Sequence, residues 1–297
     1  MSASHLTPTG FWLALVTPFL PDHSVDYTSL QKLAQHYQAQ GVQGLVLCGS
    51  TGEGPSLDED ECLRIVQTVH DSVPPMPLVV GLSGYHLKNL QARLRQWEAA
   101  KLQVQGVLVS APSYIRPSQK GLIAWFQTLA DTSPAPVWLY DIPYRTGSTL
   151  QLETIRQLAQ HPRIVAIKDC GGDARKTQAL VQDGQLALLT GEDHQILPAM
   201  ALGAAGVVSA AGHIHPERFA QLVHSLRHDD GPRSRQLWSQ LLPWLDLAFS
   251  EPNPSVLKAA LHQQGLVQDV LRPPMQTCSP ATAEKVRQWL NHSQLMP

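Results

Sequence analysis

The chain has 297 residues, 43% of them hydrophobic, and a formal net charge of -2. That is enough apolar chain for one large α/β domain or two smaller ones, and the charge excludes the broad basic field that accompanies non-specific nucleic-acid binding, which leaves small-molecule chemistry. No apolar run approaches the roughly 20 residues of a membrane span and the opening MSASHLTPTG lacks the charged and apolar regions of a secretory signal, so a cytoplasmic protein is expected.

In chain order, the first strand-like run is FWLALVTPF, Phe11 to Phe19, followed by an amphipathic segment after Asp26. VQGLVLCGST, from Val42, is the second, and a helix opens near Asp58. PLVVGLS, from Pro77, precedes LKNLQARLRQWEAAK, in which Leu87, Leu90 and Leu94 recur on one side of a helix. GVLVSAPSY, PVWLYDIP, IVAIKDC, ALLTGED and GVVSAAG, from Gly106, Pro136, Ile164, Ala187 and Gly206, complete eight runs, each ending in small or polar residues where a loop begins.

Strict alternation of strand and helix implies a parallel sheet with right-handed crossovers. Eight units in about 220 residues suit a closed (β/α)8 TIM barrel, which typically takes around 250. An open doubly wound sheet is the alternative, but no run is followed by the GxGxxG turn of dinucleotide binding. From Pro232 only helix-like segments follow, punctuated at EPNP and LRPPM. The expected organisation is a barrel over residues 1–230 and a C-terminal helical region over 231–297.

Active sites of such barrels lie at the C-terminal strand ends. The residues gathered there are Gly49 to Thr51, Pro112 to Tyr114, Tyr140 to Arg145, Lys168, Gly191 to Asp193 and Ser209 to Gly212. Lys168 closes an apolar strand, and a lysine deprived of water is a better nucleophile toward a carbonyl. Tyr140 is suited to deliver and remove protons, with Ser50 and Tyr114 as relay hydroxyls. A snorkelling Lys168 paired with Asp169 is the bland alternative; the coincidence of Lys, Tyr, Ser, Thr and Arg at strand ends argues against it.

GSTGEG, Gly49 to Gly54, is a turn that can cradle a carboxylate but lacks the GKS/T end of a phosphate loop. Arg145 can hold a second carboxylate through a two-point contact. His213 and His215 in GHIHP have no third ligand at a recognisable spacing, and Cys48, Cys62, Cys170 and Cys278 form no CxxC pair, so no metal and reduced thiols are expected.

GSTGE, APSYIRPSQKGL, LYDIPYRTG, VAIKDCGGD, LLTGED, GAAGVVSAAG and EPNPSVLKAAL, in that order, resemble the dihydrodipicolinate synthase and N-acetylneuraminate lyase superfamily of class I aldolases. The resemblance runs from about Phe11 to Met275. It implies that Lys168 forms an imine with pyruvate, Tyr140 is the catalytic tyrosine, Ser50 and Tyr114 are the proton relay, and Thr51 meets the keto-acid carboxylate. It adds Gly191 and Val208 as substrate-binding positions. It also implies no cofactor beyond the imine, and a homotetramer of tight dimers in which Tyr114 crosses the interface.

Arg145 in YDIPYRTG is the feature that the synthases use for L-aspartate 4-semialdehyde. The implied product is 4-hydroxy-tetrahydrodipicolinate, on the way to diaminopimelate and lysine. A related aldolase or dehydratase acting on a 2-keto-3-deoxy sugar acid or N-acetylneuraminate is the alternative, since YDIP departs from the usual YNxP. A keto-acid sensor without turnover is a third reading. Glu59 and Cys62 at histidine positions of the lysine-inhibition site, with Tyr85, Asn89 and Ser113 also departing from its pattern, imply weak or absent inhibition by lysine.

Overall fold

The computed structural model describes residues 7–293, so residues 1–6 of the expected barrel and 294–297 of the expected helical region lie outside the described residues. Eight parallel strands close into a barrel in sequence order: β1 Gly10–Ala14, β2 Gly44–Leu47, β3 Leu78–Leu82, β4 Gly106–Ser110, β5 Val137–Asp141, β6 Ile164–Asp169, β7 Ala187–Thr190 and β8 Gly206–Ser209. The outer layer is α1 Tyr27–Ala39, α2 Glu59–Ser72, α3 Leu87–Ala99, α4 Gln119–Thr132, the single turn α5 Pro143–Thr146, α6 Leu152–Ala159, α7 Ala174–Asp183, α8 Ile196–Ala201 and α9 Pro216–Arg227. Then come α10 Gly231–Ala248, α11 Ser255–Gln263 and α12 Pro280–Ser293. No helix among the described residues is long and apolar enough to cross a membrane.

The apolar runs are nearly continuous because each strand is covered on both faces. Alternate residues such as Leu13, Leu45, Val80, Val109, Leu139 and Ile167 face the helices, whereas Trp12, Val46, Leu108, Trp138, Ala166, Leu189 and Val208 fill the barrel. Trp12 and Trp138 meet edge to face at 4.9 Å inside it. Glycines make room for these indoles: a Cβ on Gly44 would lie 2.3 Å from the Trp12 ring, and one on Gly106 would lie 2.7 Å from Trp138 Nε1.

Helix starts follow local chemistry. Asp26 caps α1 by accepting from Ser29 N–H, and Asp58 and Glu61 form a reciprocal capping box on α2. The first strand is shorter than FWLALVTPF suggests: it ends at Ala14, and the segment after it stays buried with Val16 N–H donating to His213 Nε2 at 3.1 Å rather than to a strand. Arg145, expected in a loop, stands on α5, which Pro143 opens and Gly147 closes at φ 72°. The C-terminal helices pack on the barrel: Trp244 Nε1 donates to Ala211 O at 2.9 Å and stacks near Trp289 of α12 at 4.9 Å.

Candidate active site

Pairing of β5 with β6 sets Tyr140 opposite Lys168 and Asp141 opposite Asp169. Strand alternation sends the first pair into the barrel mouth and the second outward. Two carboxylates side by side would repel, and Lys176 of α7 answers both, with Nζ 2.6 Å from Asp141 Oδ2 and 2.9 Å from Asp169 Oδ1. Asp141 also accepts from Leu150 N–H and Asp169 from Gly171 N–H, so the buried triad has its hydrogen bonds met. This clamp lies directly behind Tyr140 and Lys168 and ties both flanking loops to them.

Lys168 is 6% exposed, and no carboxylate among the described residues lies within ion-pair distance of its amine. Its Nζ is 4.6 Å from the centre of the Tyr140 ring. Burial pushes its pKa below the usual lysine value, partly opposed by Cys170 and Asp193. Asp169, the chain neighbour of Lys168, is bound instead to Lys176, so Lys168 has no carboxylate partner among the described residues. Burial also raises the Tyr140 phenol well above its ordinary value, so it keeps its proton. Cys170 Sγ lies 4.0 Å from the Tyr140 hydroxyl, and its own thiol is raised to about 12 by burial.

A cavity of about 570 Å³ opens over this pair, lined by Ser50, Thr51, Tyr140, Arg145, Lys168 and Gly191, together with Tyr144, Glu192 and Asn253. Gly191 must lack a side chain, because a Cβ there would lie 2.2 Å from Lys168 Cε. Ser50 and Thr51 stand on the turn after β2, which is closed by Gly54 N–H to Gly49 O at 3.0 Å. Ser50 makes no direct hydrogen bond to Tyr140 among the described residues, so the two share a cavity wall only.

Two expected positions stand apart. Tyr114, at φ 74° in the loop after β4, is 89% exposed and is not a wall of the cavity in its own chain. Val208 is fully buried in the barrel filling beneath the mouth. The strand-end pattern gave no role to Asn253, Tyr144 or Asp193. Asp193 accepts from Ser209 Oγ and from Ala210 N–H at 3.2 Å, and burial raises its pKa to about 6. GED and EPNP were the available signals for Asp193 and Asn253, but neither says which side chain turns inward.

His213 is a buried core histidine, lowered to about 4 by burial, and no cluster of three or more metal-ligating side chains occurs among the described residues. A second hollow of about 580 Å³ lies at the other end of the barrel, lined by residues including Gln43, His224, Arg227 and Arg233. No lysine lines it.

The fold is a (β/α)8 barrel, and its relatives make it an enzyme of the lyase type. The family model described as "Dihydrodipicolinate synthetase family" matches residues 7–293, and the chain belongs to that family. It is 35% identical to the 4-hydroxy-tetrahydrodipicolinate synthase of Cyanothece sp., over 95% of this chain and 97% of that one. The crystal structure of the chloride-inhibited dihydrodipicolinate synthase from Acinetobacter baumannii complexed with pyruvate superposes with a TM-score of 0.93 at 30% identity, covering 98% of this chain and 100% of that one. A structure described as the first monomeric dihydrodipicolinate synthase variant matches with a TM-score of 0.92 at 28% identity over 97% of each chain.

Proposed function

We propose that the protein condenses pyruvate with L-aspartate 4-semialdehyde to give 4-hydroxy-tetrahydrodipicolinate, in the biosynthesis of diaminopimelate and lysine. The observation that carries this reading is the unpaired Lys168 amine beside Tyr140, in one cavity with Thr51 and Arg145.

Lys168 Nζ attacks the ketone carbon of pyruvate, and the carbinol oxygen leaves as water with a proton from the Tyr140 phenol. The imine draws electrons from the methyl group, which loses a proton to the Tyr140 phenolate left by that step, giving an enamine. The enamine carbon forms a bond to the aldehyde carbon, whose oxygen takes up the proton from Tyr140. The amine of the adduct then attacks the imine carbon, closes the ring and frees Lys168. Thr51 holds the pyruvate carboxylate, and Arg145 holds the carboxylate of the aldehyde by a two-point contact. Gly191 bounds the space over the amine. Val208, from its place in the barrel filling, supports the floor of the subsite. No metal or organic cofactor enters this scheme.

Proton NMR of pyruvate with the semialdehyde, N-acetylmannosamine or glyceraldehyde tests it. Consumption with the semialdehyde alone is expected; consumption with a sugar aldehyde would replace it with the aldolase reading. Arg145→Ala should lower kcat/KM for the semialdehyde by about 100-fold while pyruvate imine formation stays within about threefold of wild type. Equal loss of both would remove Arg145 from the aldehyde subsite.

Oligomerisation through the strand-end loops completes the reading. Tyr85, Tyr114 and Ile115, on the loops after β3 and β4, and Tyr144, on α5 after β5, are exposed large apolar side chains. Exposed apolar side chains at this end of the barrel favour a tight dimer in which Tyr114 joins the partner's proton relay, two dimers making a tetramer in the cytoplasm. Lysine should inhibit weakly. The Glu59 carboxylate is already engaged by Arg93 Nε at 2.5 Å and by Trp97 Nε1, and Asn89 offers an effector ammonium no charge. Half-inhibition at sub-millimolar lysine would overturn this.

A further inference from the structure

The catalytic mouth is finished by residues far from the barrel strands. Asn253, between α10 and α11, lines the cavity and donates from Nδ2 to Thr51 Oγ1 at 2.9 Å. A hydroxyl carries a single proton and can accept at its oxygen at the same time. With Asn253 as donor, the Thr51 proton is directed elsewhere, and it meets no acceptor among the described residues. Thr51 is 5% exposed yet lines the cavity, so the acceptor for that proton is whatever occupies the cavity.

The other amide atom, Asn253 Oδ1, is buried with no protein partner. The side chain is therefore not woven into a wider scaffold; its hydrogen bond within the protein is the one to Thr51. The turn itself is held from the same direction. Glu53 sits at φ 52°, and its carboxylate receives Lys258 Nζ at 2.5 Å and Arg272 N–H at 2.9 Å.

We infer that Asn253 is a positioning residue for the keto-acid subsite: by donating to Thr51 Oγ1 it keeps the Thr51 hydroxyl aimed as a donor at the carboxylate of a bound 2-keto acid. This rests on the proposed use of pyruvate and is independent of which aldehyde follows.

The test uses full-length protein and pyruvate alone. Borohydride-trapped adduct on Lys168 is measured by mass against pyruvate concentration for wild type, Asn253→Ala, Asn253→Asp, Thr51→Val and the Thr51→Val/Asn253→Ala double variant. Asn253→Ala should need about tenfold more pyruvate for half-maximal trapping, with the maximal rate within about threefold. Asn253→Asp, nearly isosteric, accepts the Thr51 proton and repels the keto-acid carboxylate, so it should need on the order of 100-fold more.

In the Thr51→Val background, Asn253→Ala should add nothing. A full additive penalty there, or an aspartate variant no worse than alanine, overturns the inference. Should the alanine variant fail to fold, the aspartate variant is compared with wild type, and a half-maximal pyruvate concentration within about threefold of wild type overturns the inference. Wild-type protein that forms no adduct sinks the pyruvate reading and this inference together. An adduct with the expected variant series but no turnover of the semialdehyde supports the inference and counts only against the aldehyde.

Discussion

Lys168 and Lys258 are both buried, at 6% and 0% exposure, and both amines face an aromatic ring, at 4.6 Å from Tyr140 and 4.2 Å from Phe19. Burial lowers both, Lys258 to about 8. Their surroundings differ. Lys258 is held by Glu53 Oε1 and by Val270 O at 2.8 Å, so two of its three hydrogens are bound, and its full burial keeps a substrate from reaching it. Lys168 meets no carboxylate among the described residues and opens on the cavity. Burial depresses a lysine pKa in either place; a nucleophile also requires that no partner occupy the amine and that a carbonyl carbon can approach it.

The largest expected effect separates the two directly. Lys168→Ala should abolish the borohydride-trapped pyruvate adduct and lower turnover on the order of 10³-fold or more. Mass mapping that finds an adduct on Lys258 in that variant would break the comparison. Lys258→Met comes next. It strands Glu53 in the interior with one donor fewer, and unfolding by urea should show a loss of about 3–5 kcal/mol, with the adduct still formed on Lys168. Wild-type stability would mean that the Glu53 pair does not hold the C-terminal helices to the Thr51 turn.

The smallest effect is in pH. Lowering the Lys168 pKa leaves more free amine at a given pH, so the rate of adduct formation should rise with pH along a limb centred below the ordinary lysine value of 10.5. A midpoint at or above 10.5 would remove the argument from burial.

The strand set was readable because parallel strands covered on both faces must be apolar throughout, and eight such runs alternate with helical patterns. Lys168 was legible as the one amine at the end of such a run, and Tyr140 lies opposite it by register. The end of β1 was not, because Leu15 and Val16 remain buried after leaving the sheet and keep the run apolar.

Sequence by itself determined the eight-unit alternation, the family motifs and the residue types of the mouth, since periodicity and turn chemistry are local. Tertiary structure alone decided the partners. Asp169 is adjacent to Lys168 in the chain, yet it faces the opposite side and binds Lys176. Asn253 reaches Thr51 across 202 positions of sequence, and Lys258 reaches Glu53 across 205. Which charges cancel and which amine stays free depends on barrel closure and on the packing of the C-terminal helices, because Coulomb forces and hydrogen bonds act through space over a few ångströms and take no account of separation along the chain.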